Sequence, residues 1–323
     1  SVTQTNAGTY PMGLKVSDFE NTSDNFTNVE FVVNDGGLTI TPAEVTLTAK
    51  SATKTYNGQE QGVSGYDCSV EGLTFEGIIA GAKGTNVGEY PVTFNTNPED
   101  PEFPKNKLDT TGNYIVKEAK PGKLTITPVT DKVTVTITEN SGTEKYDGTE
   151  KTVTGYTVSI SNPLYKESDF TFSGNAEAKG TDAGKYDMEL KASDFTNNNT
   201  NFAEVKFVIV DGQLVIEKRN VTLTSASASK TYDGKPLTND TVAVGGDGFA
   251  EGEGATYNVT GTVTEVKDSP ATNTFTYTLN DGTKAKNYNI ELALGKLEVT
   301  PVTEEVIVTI TGRTDEMPYD GKE

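Results

Sequence analysis

Without a histidine anywhere, the sequence cannot build a Ser-His-Asp or Cys-His nucleophile, or any zinc site that uses imidazole. Its one cysteine, Cys68, has no base to activate it and reads as an incidental residue. Carboxylates are plentiful, but no spacing singles out a pair for glycosidase work, so solvated surface is the reading for each. Calcium would suit an acidic β-rich chain, yet the Asp-x-[Asp/Asn]-x-Asp-Gly spacing is absent. Asn97-Pro98-Glu99-Asp100 and Asp315-Glu316 remain as oxygen-rich turns, and ordinary loop acidity explains them. Gly245-Gly246-Asp247-Gly248 lacks the Lys-Ser/Thr of a phosphate loop and reads as a turn. The expectation is no catalysis, no cofactor and no metal.

What recurs instead is a tyrosine beside a turn. Lys54-Thr55-Tyr56-Asn57-Gly58 is followed by Lys145-Tyr146-Asp147-Gly148, Lys230-Thr231-Tyr232-Asp233-Gly234 and Pro318-Tyr319-Asp320-Gly321. The tyrosines stand 90, 86 and 87 residues apart, an interval that marks tandem modules. Asn-Gly or Asp-Gly between alternating runs predicts a hairpin with a type I′ turn, because both residues tolerate positive φ. A second landmark holds Tyr10, Tyr90 and Tyr186 in Thr-[Asn/Asp]-x-Gly-x-Tyr, with a copy lacking the glycine before Tyr277. An asparagine and an aromatic come next, at Asn25-Phe26, Asn113-Tyr114, Asn201-Phe202 and Asn287-Tyr288. Each set closes on a glycine and a strand, as in Gly122-Lys123-Leu124-Thr125-Ile126.

These segments alternate with period two, clearest in Val133-Thr134-Val135-Thr136-Ile137-Thr138. Only Pro163–Asp169 could hold one or two helical turns. Linkers of two to five residues, some ended by proline, predict a semi-rigid string of modules. Residues 45–128 resemble 221–301, whereas 132–217 resembles both chain ends. The order reads B-A-B-A-B, with a long period of 173 to 176 residues. The expected modules are 44–129, 130–218 and 219–302. Residues 1–43 would be the later half of a B module and 303–323 the start of another. Half a module cannot bury its apolar face alone, so these ends would lean on neighbours, pair with another chain, or belong to a longer polymer, which we favour.

Composition limits the partners. The formal net charge is −20, which leaves no basic stripe for nucleic acid. Hydrophobic residues are only 33%, fitting thin β-modules with much exposed surface. A single cysteine excludes an intrachain disulfide framework. No apolar run approaches a membrane span, and no export signal is visible, so a targeting segment would lie outside this chain.

Taken together, Tyr232-Asp233-Gly234, Gly184-Lys185-Tyr186, Asn287-Tyr288 and Gly295-Lys296-Leu297, with their copies, resemble the bacterial tandem modules called YDG or MBG domains. The resemblance covers nearly the whole chain, departing at Asn57 and before Tyr277. It implies long secreted or wall-attached bacterial proteins, often adhesins, with no catalytic activity. The [Asn/Asp]-x-Gly-x-Tyr element also resembles the tyrosine corner of immunoglobulin-like sandwiches. The expected fold is all-β: small Ig-like sandwiches in tandem along a rod, or β-grasp modules if Pro163–Asp169 forms a true helix. Tyr56, Gly58, Tyr146, Asp147, Gly148, Tyr232, Asp233, Gly234, Tyr90 and Tyr186 are expected to be structural, packing and turning the chain. The competing reading makes the tyrosines sugar-stacking platforms. The expected role is an extracellular or cell-surface stalk, with end-to-end self-association or a glycan ligand as possible partnerships.

Overall fold

Strand formation follows the alternation. In Val133–Glu139 the β-branched Val133, Val135 and Ile137 are fully buried, and the threonines between them lie partly open. The same pattern governs Ala43–Ala49 and Arg219–Ser225. The structure, a computed structural model, describes residues 1–322. Among them there is no α-helix, and the helical content is five three-residue 3₁₀ turns. One is Glu167–Asp169, so Pro163–Asp169 supplies a single tight turn and not the helix a β-grasp module requires. The protein is all-β, built from several small sheets arranged as modules.

Three stretches share one plan. In residues 43–127, the opening strand Ala43–Ala49 is central in its sheet and pairs in parallel with Tyr114–Lys120. The short strand Ala52–Thr55 then pairs in parallel with the closing strand Gly122–Thr127, whose other edge takes Gly88–Phe94 antiparallel. In residues 219–300, Arg219–Ser225 pairs in parallel with Tyr288–Ala293, and Ala228–Thr231 with Lys296–Thr300. In residues 133–217, Gly142–Lys145 pairs in parallel with Gln213–Glu217, which takes Gly184–Asp187 antiparallel. Near the start, Gly8–Pro11 pairs with Gly37–Ile40 in the same antiparallel sense. Residues 301–322 contain no strand, and Val306, Val308 and Ile310 are exposed there.

These pairings correct the hairpin expectation. Ala52–Thr55 and Gln61–Ser64, the strands flanking Tyr56-Asn57-Gly58, take other partners: the closing strand and Ala80–Gly84 respectively. The turn is not type I′ either. Gly58, Gly148 and Gly234 have φ of 77°, 85° and 75°, but Asn57, Asp147 and Asp233 keep negative φ. Their side chains instead accept the backbone N–H two residues on, from Gln59, Thr149 and Lys235 at 2.9, 2.9 and 3.0 Å. That is an Asx turn, which turns the chain without a second left-handed residue.

The chain divides into two compact units. The first is Ser1–Thr136 with Val158–Ser173 and Ala192–Val208; the second is Ile137–Thr157, Gly174–Lys191 and Ile209–Glu323. Apolar clusters of the first unit include one around Val45, Leu47, Phe75, Ile78 and Val116 and another around Ala80, Val92, Leu124 and Ile126. The second holds a smaller cluster of Val263, Leu297 and Val299.

Candidate functional site

The recurring landmarks meet where one stretch joins the next, and the tyrosine corner is the lowest layer of that assembly. Tyr10, Tyr90 and Tyr186 donate their hydroxyls to the backbone carbonyls of Asn6, Asn86 and Asp182, at 3.0, 2.8 and 2.8 Å. The rings of Tyr90 and Tyr186 need a bare backbone beneath them. A Cβ on Gly84 would sit 2.3 Å from the Tyr90 ring, and one on Gly180 2.2 Å from that of Tyr186. The closing-strand glycines meet the same restriction against backbone. A Cβ on Gly122 would lie 2.4 Å from the Lys50 carbonyl oxygen, and one on Gly212 2.5 Å from that of Asn140.

The residue that receives the tyrosine hydroxyl is the one that grips the next stretch. The N–H groups of Ala7, Val87 and Ala183 donate to Oδ1 of Asn113, Asn201 and Asn287, at 2.7, 2.7 and 2.8 Å. Those asparagines return Nδ2 to Oδ1 of Asn6, Asn86 and Asp182, at 3.2, 3.1 and 3.0 Å. One amide thus satisfies a backbone donor and a side-chain acceptor across roughly a hundred residues of sequence. Only asparagine or glutamine offers both functions in one planar group. Asn201 and Asn287 are buried, so an unpaired amide would be costly at either place.

The first unit adds an aromatic contact to this clasp. Tyr56 meets Phe202, which follows the clasp Asn201, edge to face at 5.8 Å between centroids. Phe202 meets Tyr165 at 5.2 Å, and Phe170, Phe195 and Phe207 continue the cluster. Tyr56 itself is only half-buried, and its hydroxyl has no hydrogen-bond partner among the described residues. Beside it opens a polar cleft of about 420 Å³.

The second unit builds the same contact differently. Tyr146 meets Tyr288, which follows the clasp Asn287, edge to face at 5.7 Å. Both rings are buried, and Glu253 accepts hydrogen bonds from both hydroxyls, from Tyr288 at 2.8 Å. Burial, reinforced by the hydrogen bond to Glu253, raises the Tyr146 phenol above its ordinary range. Burial likewise pushes that of Tyr288 up to about 12. Arg219 ties this layer down by donating to the carbonyls of Gly248, Tyr146 and Asp247, and Lys145 pairs with Asp247 at 2.8 Å. Lys284 and Lys286 pair with the clasp residue Asp182 at 3.1 and 2.8 Å. The hydrogen bond from Lys286, then those from Asn287 and Lys284, hold the Asp182 carboxyl well below the usual carboxylate range.

The remaining sequence-selected residues fall as follows. Asp147 pairs with Lys151, whose hydrogen bond holds its carboxyl well below the usual range, and Lys230 pairs with Asp233 at 2.7 Å. Tyr232 is 38% exposed and Tyr319 97%, and among the described residues neither meets an aromatic ring as Tyr56 and Tyr146 do. The copy before Tyr277 departs further. Asn273 turns fully inward and donates to the carbonyls of Ala226 and Asn239, while Tyr277 lies on a separate strand opposite Tyr257. Spacing alone did not assign a role to Asn113, Asn201 and Asn287, although their fixed place before an aromatic was the available signal. Glu253 and Arg219 carried no repeated signal. Among the described residues, no group of three or more cysteine, aspartate or glutamate side chains could hold a metal ion, and no helix is long and apolar enough to cross a membrane.

The arrangement therefore defines a class: an all-β repeat whose recurring residues serve the joints between successive stretches. Residues 133–218 match the family model of the MBG domain, a non-catalytic module typical of repeats in bacterial surface proteins. No curated protein matches the chain.

Proposed function

We propose that the chain is a non-enzymatic stalk or fibre segment of a repetitive bacterial extracellular or cell-surface protein. The observation that carries this reading is the clasp, repeated three times from the same landmarks: Asn113 on Ala7, Asn201 on Val87, and Asn287 on Ala183. A joint rebuilt at every repeat suits a part that transmits length and orientation. We assign modules to 44–129, 130–218 and 219–302, with partial modules at 1–43 and 303–323. Tyr90 and Tyr186, with their glycines, fix the clasp loops. Tyr56 and Tyr146 pack the joints, and Tyr232 is ready to pack one.

A string of tandem modules on short linkers should scatter as an elongated particle. Small-angle scattering tests this directly, and a compact particle would overturn it. End-to-end self-association is a second part of the reading. Exposed Val306, Val308 and Ile310 repeat the strand pattern that is fully buried in Val133–Ile137. Sedimentation velocity at rising concentration should show head-to-tail species that the triple substitution of these residues by serine removes.

A further inference from the structure

The two aromatic joints differ in one respect that packing does not require. At the second, Glu253 occupies the place beside Tyr146 and takes its hydroxyl. At the first, the place beside Tyr56 is the open cleft of about 420 Å³, lined by Asn86, Ser168, Asp169, Asn198 and Thr200 among others. The Tyr56 hydroxyl and the side chains of Ser168, Asn198 and Thr200 make no hydrogen bond among the described residues. Asp169 uses only Oδ2, which accepts the Lys166 N–H at 2.8 Å. Asn86 uses only Oδ1, in the clasp.

The cleft thus offers one aromatic side chain, three hydroxyls, amide groups able both to donate and to accept, one carboxylate and no cation. Hydroxyl-rich neutral ligands match that inventory, because every sugar hydroxyl both donates and accepts and the C–H face of the ring can lie against an aromatic. An anionic ligand does not match, given Asp169 in the wall and a net charge of −20. The polar walls also disfavour an apolar ligand, which would strand their hydrogen-bonding groups.

We propose that this cleft is a binding site for a neutral oligosaccharide. The site adds an adhesive function to the stalk reading and does not depend on it. A shallow, water-accessible site of this kind should bind at about the millimolar level, with strength in a tandem protein arising from repetition.

The test is saturation-transfer NMR on the whole chain. The probes are a panel of neutral oligosaccharides spanning gluco-, galacto-, manno- and N-acetylhexosamine units, with 3′-sialyllactose as the anionic comparison. The expected result is transfer to at least one neutral probe and none to the sialylated one. Asn198→Ala combined with Ser168→Ala touches only unpaired side chains, so the fold should persist and affinity should fall at least fivefold. Tyr56→Phe keeps the ring and should weaken binding about threefold. No transfer across the neutral panel would overturn the proposal, as would undiminished binding in the Ser168/Asn198 variant or preference for the sialylated probe. None of these outcomes bears on the scattering test of the stalk.

Discussion

The Asn201 joint of the first unit and the Asn287 joint of the second use one plan with different electrostatics. Both close an asparagine amide on a loop held by a tyrosine corner, and both set an aromatic edge against the ring that follows that asparagine. In the first the gripping residue is the neutral Asn86, and the packed tyrosine is half-buried beside an open cleft. In the second it is the ionised Asp182, flanked by Lys284 and Lys286, and the tyrosine is sealed by Glu253. The shared part is what geometry demands of a joint. The differing part was free to vary, and it sets how each joint answers to acid, salt and ligand.

The widest separation should come from deleting the two tyrosines. Tyr146→Ala removes a buried ring and leaves Glu253 with the Tyr288 hydroxyl but without that of Tyr146, so a loss of about 3–5 kcal/mol is expected, as for other large aromatic truncations. Tyr56→Ala removes a half-buried ring with a free hydroxyl and should cost about 1–2 kcal/mol. Urea denaturation followed by hydrogen-exchange mass spectrometry would assign each loss to its own unit. Equal costs would erase the distinction between sealed and open joints.

The glycines under the corner tyrosines should behave alike in both units, which makes them a control. A methyl at Gly84 or Gly180 must displace a ring, and overpacking of this kind costs about 1–3 kcal/mol. Each substitution should also release the clasp above it, visible as faster exchange of the Val87 or Ala183 amide. Rapid exchange of those amides in the unsubstituted protein would show that the clasp does not close in solution.

How much of this could be read beforehand follows from the period of the signal. Alternation marked Val133–Thr138 as a strand because burial in a sheet repeats every second residue, and the tyrosine corner was legible because its receiving residue lies four positions away. The parallel pairings, such as Ala52–Thr55 with Gly122–Thr127, left no local trace, since their partners are some seventy residues apart. That is also why Asn57-Gly58 looked like a hairpin: local turn chemistry is present, while the choice of partner strand is made by the closing strand. The clasp asparagines recurred but their partners lie in the preceding stretch, so the repeat exposed the residue without its contact. Glu253 and Arg219 occur once, and a feature that does not repeat is invisible to an argument built on repetition.

Acid should separate the units next. Asp147, Asp182, Asp233 and Asp247, all in the second unit, are held below the usual carboxylate range, chiefly by hydrogen bonds from Lys151, Lys286, Lys230 and Lys145. In the first unit Asp109 is held low, chiefly through its hydrogen bond from Thr111. A carboxyl depressed in the folded state contributes stability above its unfolded value of about 3.9, and that contribution fades as pH falls from there through the folded value. The second unit should therefore loosen first below about pH 4, read as earlier loss of amide protection at Ala183 than at Val87.

The smallest expected effect isolates the charge itself. Asp182→Asn rebuilds the second joint with the residue type of the first. Asn86 shows that an amide Oδ1 receives the clasp, so the bond from Asn287 should survive. What disappears is attraction to Lys284 and Lys286, whose side chains are 57% and 60% exposed. Exposed ion pairs are worth about 0–1 kcal/mol and are weakened by salt. The variant should thus lose at most about 1 kcal/mol at low salt and match the unsubstituted protein at about 1 M, where the Debye length is near 3 Å. Its acid transition at Ala183 should move toward that at Val87. A loss that persists in high salt would mean that the carboxylate holds the loop by geometry, and the two joints would then differ in construction as well as in charge.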